Sequence, residues 1–420
     1  MIHTSVPAAY LHLLRQNGRF RRLWYGQIVS QLGDWLDSIA LYTIVLALTG
    51  SSTALGLLLL TEFLPPAIIG PFAGVVLDRL PRKLLMILSD LGRAALVLTL
   101  LLVQGPEDLW LIYTVSALKV SLNAFFEPAR AAILPDIVAP SDLVTANALS
   151  GATWSVVLAF GAALGGLITG VLGAQAAFIA DAASYLLSAW LIAGIAISEA
   201  HTTHPRTSGS TGIGELREGL RYIRHTPDIV WYVLAKALWN LSAGVLLLFT
   251  LYGQQIFPLG RDGAITIGLF YAARGVGAAV GPIVVQQVWG TSRTVLRRGI
   301  GLGYYLSLVG YVIFSGTGSL PIALLAVVLA HTGGSINWVF SSTLLQLDVP
   351  EQLRGRVFAI EYAVLMLVVA LSSYGTGVAS DAGATPRELA LVLALLFALP
   401  GTLLTLLLWG RTAPTSRAEA

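Results

Sequence analysis

The chain has 420 residues, of which 56% are apolar (Ala, Val, Ile, Leu, Met, Phe, Trp, Tyr, Cys) and only 11% charged, where soluble domains carry about 25% charged residues. With a mean hydropathy of +0.77 and a formal net charge of +3, so few charges cannot cover a water-facing surface, and the bilayer must solvate much of the chain. Cys is absent, which excludes disulfides, thiolate metal ligands and cysteine nucleophiles.

Crossing about 30 Å of hydrocarbon takes roughly 20 helical residues. Breaks at Gly, Pro and charge clusters predict twelve spans, over 20–48, 53–77, 84–104, 109–134, 143–172, 175–197, 229–256, 264–288, 295–315, 320–345, 354–380 and 388–409. Strand-type alternation is absent, and runs such as Leu96–Val103 and Ala390–Leu399 are apolar on all sides. The fold class is therefore all-α integral membrane. Ahead of the first span, Met1–Gly18 has no apolar core before the cluster Arg15, Arg19, Arg21 and Arg22, so no cleaved signal peptide is expected. Ala8–Arg22 reads equally as a short amphipathic surface helix and as a solvated tail.

Loop charges orient the spans. Arg79, Arg82, Lys83, Arg206 to Arg224, Arg293, Arg297, Arg298, Arg354, Arg356, Arg411 and Arg417 fall on the side of the first cluster. The opposite loops at Thr49–Thr53, Gly105–Asp108, Gly173–Gln175 and Ser315–Ser319 hold no Lys or Arg, and only Arg261 and Arg387 break the pattern. The excess of positive charge places both termini in the cytoplasm, which an even number of spans permits. The single long polar stretch, 198–228, is then a cytoplasmic linker between residues 1–197 and 229–420, each a six-helix unit. The units are distantly alike: Gly70-Pro71 through Arg82 aligns on Gly281-Pro282 through Arg293 at an offset of 211, and Pro140 through Leu143 on Pro350 through Leu353 at 210. A duplicated bundle carries its binding site near the midplane, between the repeats.

After the second span the chain reads Gly74-Val-Val-Leu-Asp78-Arg79-Leu-Pro-Arg82-Lys83. This resembles the signature loop of the major facilitator superfamily, G-x-x-x-D-R-x-x-R-K. Leu23-Trp-Tyr-Gly-Gln27 with Gly33-Asp-Trp35, and Asp181-Ala-Ala-Ser-Tyr185, are similar to the branch of macrolide-efflux and enterobactin-exporter proteins. The resemblance covers about residues 15–410 and implies the major facilitator fold, twelve helices in two pseudo-symmetric six-helix bundles. It also implies a cytoplasmic gate in which Asp78 packs toward the start of span eleven, near Leu353, and Arg82 pairs with a carboxylate below span four, for which Asp136 is the candidate. Such contacts would latch that side shut and break as the halves rock; plain anchoring by loop charge is the other reading. In the second copy Trp289 and Gly290 replace the Asp and Arg, leaving Arg293, so a single latch is expected. Gly161, Gly165 and Gly166 in span five partly match an element of the superfamily's exporters, yet small residues four apart pack helices closely in any membrane protein.

A charge at mid-bilayer costs roughly 2.5–3.5 kcal/mol, so each marks a pairing or a function. The proton-coupling candidates are Asp34 and Asp37, three apart on span one, with Glu62 on span two and Glu361 on span eleven. Asp34 would either accept the proton or be fixed by Lys119 or Arg274. The cavity candidates are Lys119 and Asn123 on span four, Lys236 and Asn240 on span seven, Arg274 on span eight and Asn337 on span ten, joined by Glu127 and His331. By the resemblance, these helices belong to the set that lines the central cavity. Asp90 and Arg93 on span three read as a self-contained i,i+3 pair, and Asp181 as structural. Trp24, Trp35, Trp154, Trp239 and Trp338 either line a pocket for a flat apolar molecule or anchor at the interface.

No G-x-x-x-x-G-K-[ST] loop occurs, so ATP hydrolysis by that route is excluded. An elementary charge crossing 100 mV supplies about 2.3 kcal/mol, and protons are the expected partner. His201 and His204 lack a third ligand nearby, so no metal is expected; nor is a cofactor or nucleic acid. A lipid-modifying enzyme would need a clustered His and Asp at an interface, and none is found. The sequence thus predicts a monomeric secondary transporter of the cytoplasmic membrane that exports an amphiphilic small molecule, such as a drug, macrolide or siderophore, against protons by alternating access. Its rivals are a nutrient importer of the same fold and a transport-dead sensor or scaffold.

Overall fold

The computed structural model describes residues 6–77, 80–196, 212–290 and 292–409. A short helix α1 (Val6–Gln16) precedes α2 (Gly18–Thr49), α3 (Ser52–Leu77), α4 (Arg82–Thr99), α5 (Leu109–Ile137), α6 (Leu143–Leu172) and α7 (Ala174–Ala193). After α8 (Gly212–His225), the second half runs through α9 (Pro227–Trp239), α10 (Val245–Gln255), α11 (Ala264–Trp289), α12 (Arg293–Gly316), α13 (Leu320–Asp348), α14 (Glu351–Asp381), α15 (Pro386–Leu395) and α16 (Ala398–Trp409). Twelve stretches are long and apolar enough to cross a bilayer, with α9–α10 forming the seventh and α15–α16 the twelfth.

Two differences from the sequence reading have local causes. First, the seventh span is broken at Asn240–Ser242, because the Asn240 amide donates to the Lys236 carbonyl at 2.8 Å and competes with the helix ladder. The break is stitched to its neighbours: Gly244 N–H finds Ser372 Oγ at 3.0 Å, and Ser242 Oγ donates at 2.7 Å to Leu393 O, a carbonyl near the break between α15 and α16. Second, the polar stretch between the halves contains a helix, α8, tied to α14 by Arg356 and Glu218 at 2.7 Å. At the N-terminal end, Asn17 caps α2 by accepting from Phe20 N–H at 2.9 Å and anchors it by donating to Ile137 O at 2.7 Å. Leu13 of α1 is buried with Phe20 and Leu23, so α1 packs as a helix and is not a free tail.

Within the first half α2 packs on α6 and α7, and α5 on α3 and α4; within the second, α12 packs on α13, α15 and α16. The halves meet through α3 against α14 and α6 against α11. Small residues allow the second approach: a Cβ at Gly166 would sit 2.5 Å from Ala264 O and 2.9 Å from Gly268 Cα. Gly161 and Gly165 serve the same purpose toward Trp35 and Leu36 of α2.

The two membrane faces differ. Call the face where α4, α12 and α14 begin, with Arg82, Arg293 and Arg354, the basic face, and the other the bare face. Asp381, at the end of α14, accepts at the bare face from Ser51 Oγ (2.7 Å), Ser52 N–H (2.8 Å) and Thr53 N–H (2.9 Å). These are the orphan donors at the start of α3, so one carboxylate caps a helix of the opposite half. Gln254 adds a bond to Thr43 O at 3.1 Å. Among the described residues, every side-chain hydrogen bond between the halves lies near this face.

Candidate functional site

The intramembrane charges converge. Asp37 is fully buried and pairs with Lys119 of α5. Asp34, one turn earlier, accepts from the Tyr185 hydroxyl of α7 and lies 3.9 Å from Arg93 Nη1 of α4. Arg93 pairs with Asp90 and donates to Asn123 Oδ1 at 3.1 Å. Its guanidinium lies over the rings of Phe126 and Tyr185, 4.7 and 4.4 Å from their centroids, where cation–π attraction offsets part of its desolvation. Asp181 is buried, accepts from Ser184 Oγ at 3.3 Å, and leaves Oδ2 unpartnered. Glu62 accepts from Tyr42 OH at 2.7 Å. Of five carboxyls in this half (Asp34, Asp37, Glu62, Asp90, Asp181), Asp34, Asp37 and Asp90 therefore share two cations (Arg93, Lys119), while Glu62 and Asp181 meet hydroxyls.

The local sequence explains how these groups meet. Gly33 lets α2 approach α7 so closely that a Cβ there would lie 2.8 Å from Ser184 Cβ. The stretches Gly33-Asp-Trp35 and Asp181-Ala-Ala-Ser-Tyr185 thus form one contact, and it delivers Tyr185 to Asp34. Asp34 is held by Arg93 and Tyr185, not by Lys119 or Arg274: the rotation of α2 turns Asp37 to α5 and Asp34 to α4. The Asp90–Arg93 pair exists as spaced, but it is not self-contained, because Arg93 also serves Asp34 and Asn123.

Two cavities flank this interior. One of about 510 Å³ is walled by Gln27, Gln31, Asp34, Trp35, Asn123, Glu127, Arg130 and Trp154. The other, of about 520 Å³, lies between Pro66, Ala67 and Gly70 of α3 and Lys236, Trp338, Phe358, Glu361 and Tyr362 of the second half. Lys236 reaches Glu361 at 2.9 Å, Ser342 Oγ at 2.6 Å and the Trp338 ring at 4.5 Å. Of the candidates, Asp34, Asn123, Glu127, Lys236 and Glu361 stand on these walls. Lys119, Asn240, Arg274 and Asn337 do not. Lys119 is drawn into Asp37; Asn240 spends its amide on the helix break; Asn337 is buried and donates to Ala235 O at 3.1 Å; Arg274 lies 5.9 Å from the Tyr271 ring centroid. His331 is buried against Tyr311 OH at 2.7 Å. Trp24 donates to Thr153 Oγ1 and Trp239 to Ser307 Oγ, and neither is on the walls of these two cavities. Tyr42, Gln31 and Arg130 belong to the site without having stood out in the sequence, although the i,i+3 pair of Arg130 with Glu127 at 2.7 Å is readable from spacing; Tyr185 stood out only as part of the Asp181–Tyr185 stretch.

At the basic face Arg82 pairs with Asp136 at 3.0 Å and donates to Ala132 O at 2.7 Å, while Lys83 donates to Ile195 O at 2.9 Å. Asp78 and Arg79 lie outside the described residues, as do His201 and His204, and Gly74 falls where side chains are not described. The expected Arg82–Asp136 pair is present; because both residues belong to the first half, it staples α4 to α5 and does not itself bridge the halves. In the second half Arg293, which aligns with Arg82, pairs with Asp348, two residues beyond the position that aligns with Asp136 at an offset of 210.

The sequence matches the family model of the Major Facilitator Superfamily over residues 23–373. It is 26% identical to the uncharacterized MFS-type transporter YfiS of Bacillus subtilis over 88% of both chains. It is 24% identical to the putative bacilysin exporter BacE of the same organism over 86% of this chain and 88% of that one. Macrolide efflux protein A of Streptococcus pyogenes is 26% identical over 53% of this chain and 55% of its own. In fold, the chain is similar to a bacterial homolog of the human lysosomal transporter Spinster, with a TM-score of 0.73, 14% identity and coverage of 94% and 98%.

Proposed function

We propose that this chain, which belongs to the major facilitator superfamily and is a multi-pass membrane transporter rather than an enzyme, expels an amphiphilic small molecule in exchange for protons. In this reading it works as a monomer in the cytoplasmic membrane, with its basic face and both termini in the cytoplasm. Residues 1–197 and 229–420 rock against each other about the 198–228 linker. The names of BacE and of macrolide efflux protein A support export, and the skew of loop charge supports the orientation.

One observation carries the coupling: Asp34 stands on a cavity wall while joined to a buried network that holds more carboxyls than cations. A proton arriving on Asp34 removes the charge that Arg93 and Tyr185 hold, leaving Arg93 to Asp90 and Asn123. Substrate binding and protonation then compete for one site, which is the requirement of exchange. Asp37, Glu62 and Glu361 are the other coupling candidates; of these, Glu361 shares a cavity wall with Lys236. Gly74, Asp78, Arg79 and Lys83 form the gate at the basic face, beside the Arg82–Asp136 staple. At the bare face the Asp381 cap must break when the halves open there.

The test is flux. A growth-inhibition panel with and without the gene identifies a compound whose toxicity the gene relieves, and that compound is followed in inside-out vesicles under an imposed acid interior. Export loads such vesicles and import empties them. Asp34→Asn is expected to abolish the pH-driven movement with membrane expression intact; full activity in that variant removes Asp34 from the coupling role.

A further inference from the structure

The wall of the second cavity combines features that specify a ligand. Lys236 and Glu361 are 4% and 3% exposed, yet both line a cavity of about 520 Å³. They come from different helices, α9 and α14, and α13 completes the cluster by placing Ser342 Oγ 2.6 Å from Lys236 Nζ and the Trp338 ring 4.5 Å from it. The remaining lining residues, among them Pro66, Ala67, Phe358 and Leu365, carry no charge. The wall therefore offers one positive and one negative group, 2.9 Å apart, set in aromatic and aliphatic surface.

Both groups have unused capacity. An ammonium has three donors; Lys236 gives one to Ser342 Oγ and faces Glu361 as an ion pair. A carboxylate accepts about four hydrogen bonds, and Glu361 has no partner but Lys236 among the described residues. A ligand with one charge engages one member and draws it away from the other, leaving an uncompensated charge in a dry wall, which is strongly unfavourable. A ligand with both charges inserts its carboxylate at Lys236 and its ammonium at Glu361, and no group loses its counter-charge. Trp338 and Tyr362, 46% and 44% exposed, present faces on which an aromatic body packs.

We infer that this cavity takes a zwitterion, an ammonium and a carboxylate close together on an aromatic or apolar body, and discriminates against the same body bearing a single charge. This rests on the transporter reading above and narrows its substrate class.

Four probes of one shape test it: 4-phenylphenylalanine (zwitterion), its N-acetyl derivative (anion), its carboxamide (cation) and the N-acetyl carboxamide (neutral). Binding to the purified full chain in detergent is measured by calorimetry, with no gradient present, so the result is independent of transport direction or coupling. The zwitterion is expected to bind at least about tenfold more tightly than the other three, the margin of one displaced charge pair. Glu361→Gln is expected to erase the advantage over the anion, and Lys236→Met the advantage over the cation. Should Lys236→Met fail to fold, Glu361→Gln, which keeps the side chain's shape, decides alone. Equal binding of all four, binding of none, or a preference that survives Glu361→Gln would each overturn the assignment. Import in the vesicle assay would instead sink the export reading and leave the zwitterion assignment standing.

Discussion

The two six-helix halves fill their interiors differently. In the first, Asp34, Asp37, Asp90, Asp181, Arg93 and Lys119 share the space between α2, α4, α5 and α7. In the second, the corresponding volume is aromatic: Phe249 stacks on Phe270 at 5.5 Å, Tyr252 on Phe314 at 4.2 Å, and Tyr311 on Phe397 at 5.9 Å. Buried hydroxyls there include Tyr304, which meets Ala235 O at 2.5 Å, and Tyr232, which accepts from Arg297 Nε at 2.9 Å. Buried charge is a poor way to hold a bundle together, and among the described residues the second half buries fewer charges, Lys236, Glu361 and Arg297. The denser cluster of the first half points to work that only ionisable groups perform. The second half supplies a stiff wall with one ion pair, Lys236–Glu361, at the cavity.

The largest expected effect tests the charged side of this contrast. Lys119→Met leaves Asp37 buried without its counter-charge and should cost about 3–5 kcal/mol, read as a lowered Tm in detergent. Adding Asp37→Asn should restore much of the loss, and the double-mutant cycle isolates the pair. An unchanged Tm in the single variant would mean that the interior tolerates a lone carboxyl there, and the contrast would dissolve. The aromatic side predicts a smaller change of another kind. Phe249→Leu removes ring pairs with Phe270 and Phe314 and should cost about 1–2 kcal/mol while transport persists. Loss of transport at unchanged Tm would move function into the second half.

How much of this was legible in the sequence follows from what each signal depends on. The spans were, because hydropathy acts residue by residue and the bilayer sets its scale; Leu320–Asp348 starts where the expected 320–345 does. Asp34 and Asp37 were legible as a pair, but their partners were not: three residues of spacing put both on one side of α2, and only the packing of α2 on α7 through Gly33 decides which meets α4 and which α5. Tyr42 gave no signal, since a tyrosine on an apolar helix reads as core; Tyr185 stood out only as part of the Asp181–Tyr185 stretch, with no hint that it meets Asp34. The break at Asn240 was hidden because one amide competing for one carbonyl leaves no trace in composition. The family resemblance pointed to Asp136 as the partner of Arg82, and the pair is present; that the contact only joins α4 to α5 became clear from the packing.

At the bare face the contrast extends to the seam itself, since α14 reaches across to cap α3. Asp381→Asn keeps the shape but weakens acceptance from Ser52 and Thr53, and loss of a cap of this type costs about 1 kcal/mol. Because the cap exists only while this face is closed, the change should favour opening there. Single cysteines placed along the cavity, in a chain that otherwise has none, should react faster with a membrane-impermeant thiol reagent applied to that face. Unchanged labelling would make the cap a passive tie.

The smallest effect concerns the one device that both halves kept. Arg82–Asp136 is 35% and 31% exposed, and Arg293–Asp348 is 41% and 16% exposed, so solvent screens both pairs and each is worth about 0.2–1 kcal/mol. Because each pair lies within its own half, Arg82→Gln and Arg293→Gln should lower Tm slightly and alike. Neither should alter cysteine labelling of the cavity, since a staple inside a rigid body does not favour one tilt of the halves over another. If Arg82→Gln alone raised labelling from the basic face, the first-half arginine would have a duty its twin lacks. The flanking Asp78 and Arg79, which the second copy replaces with Trp289 and Gly290, would then be the residues to substitute next.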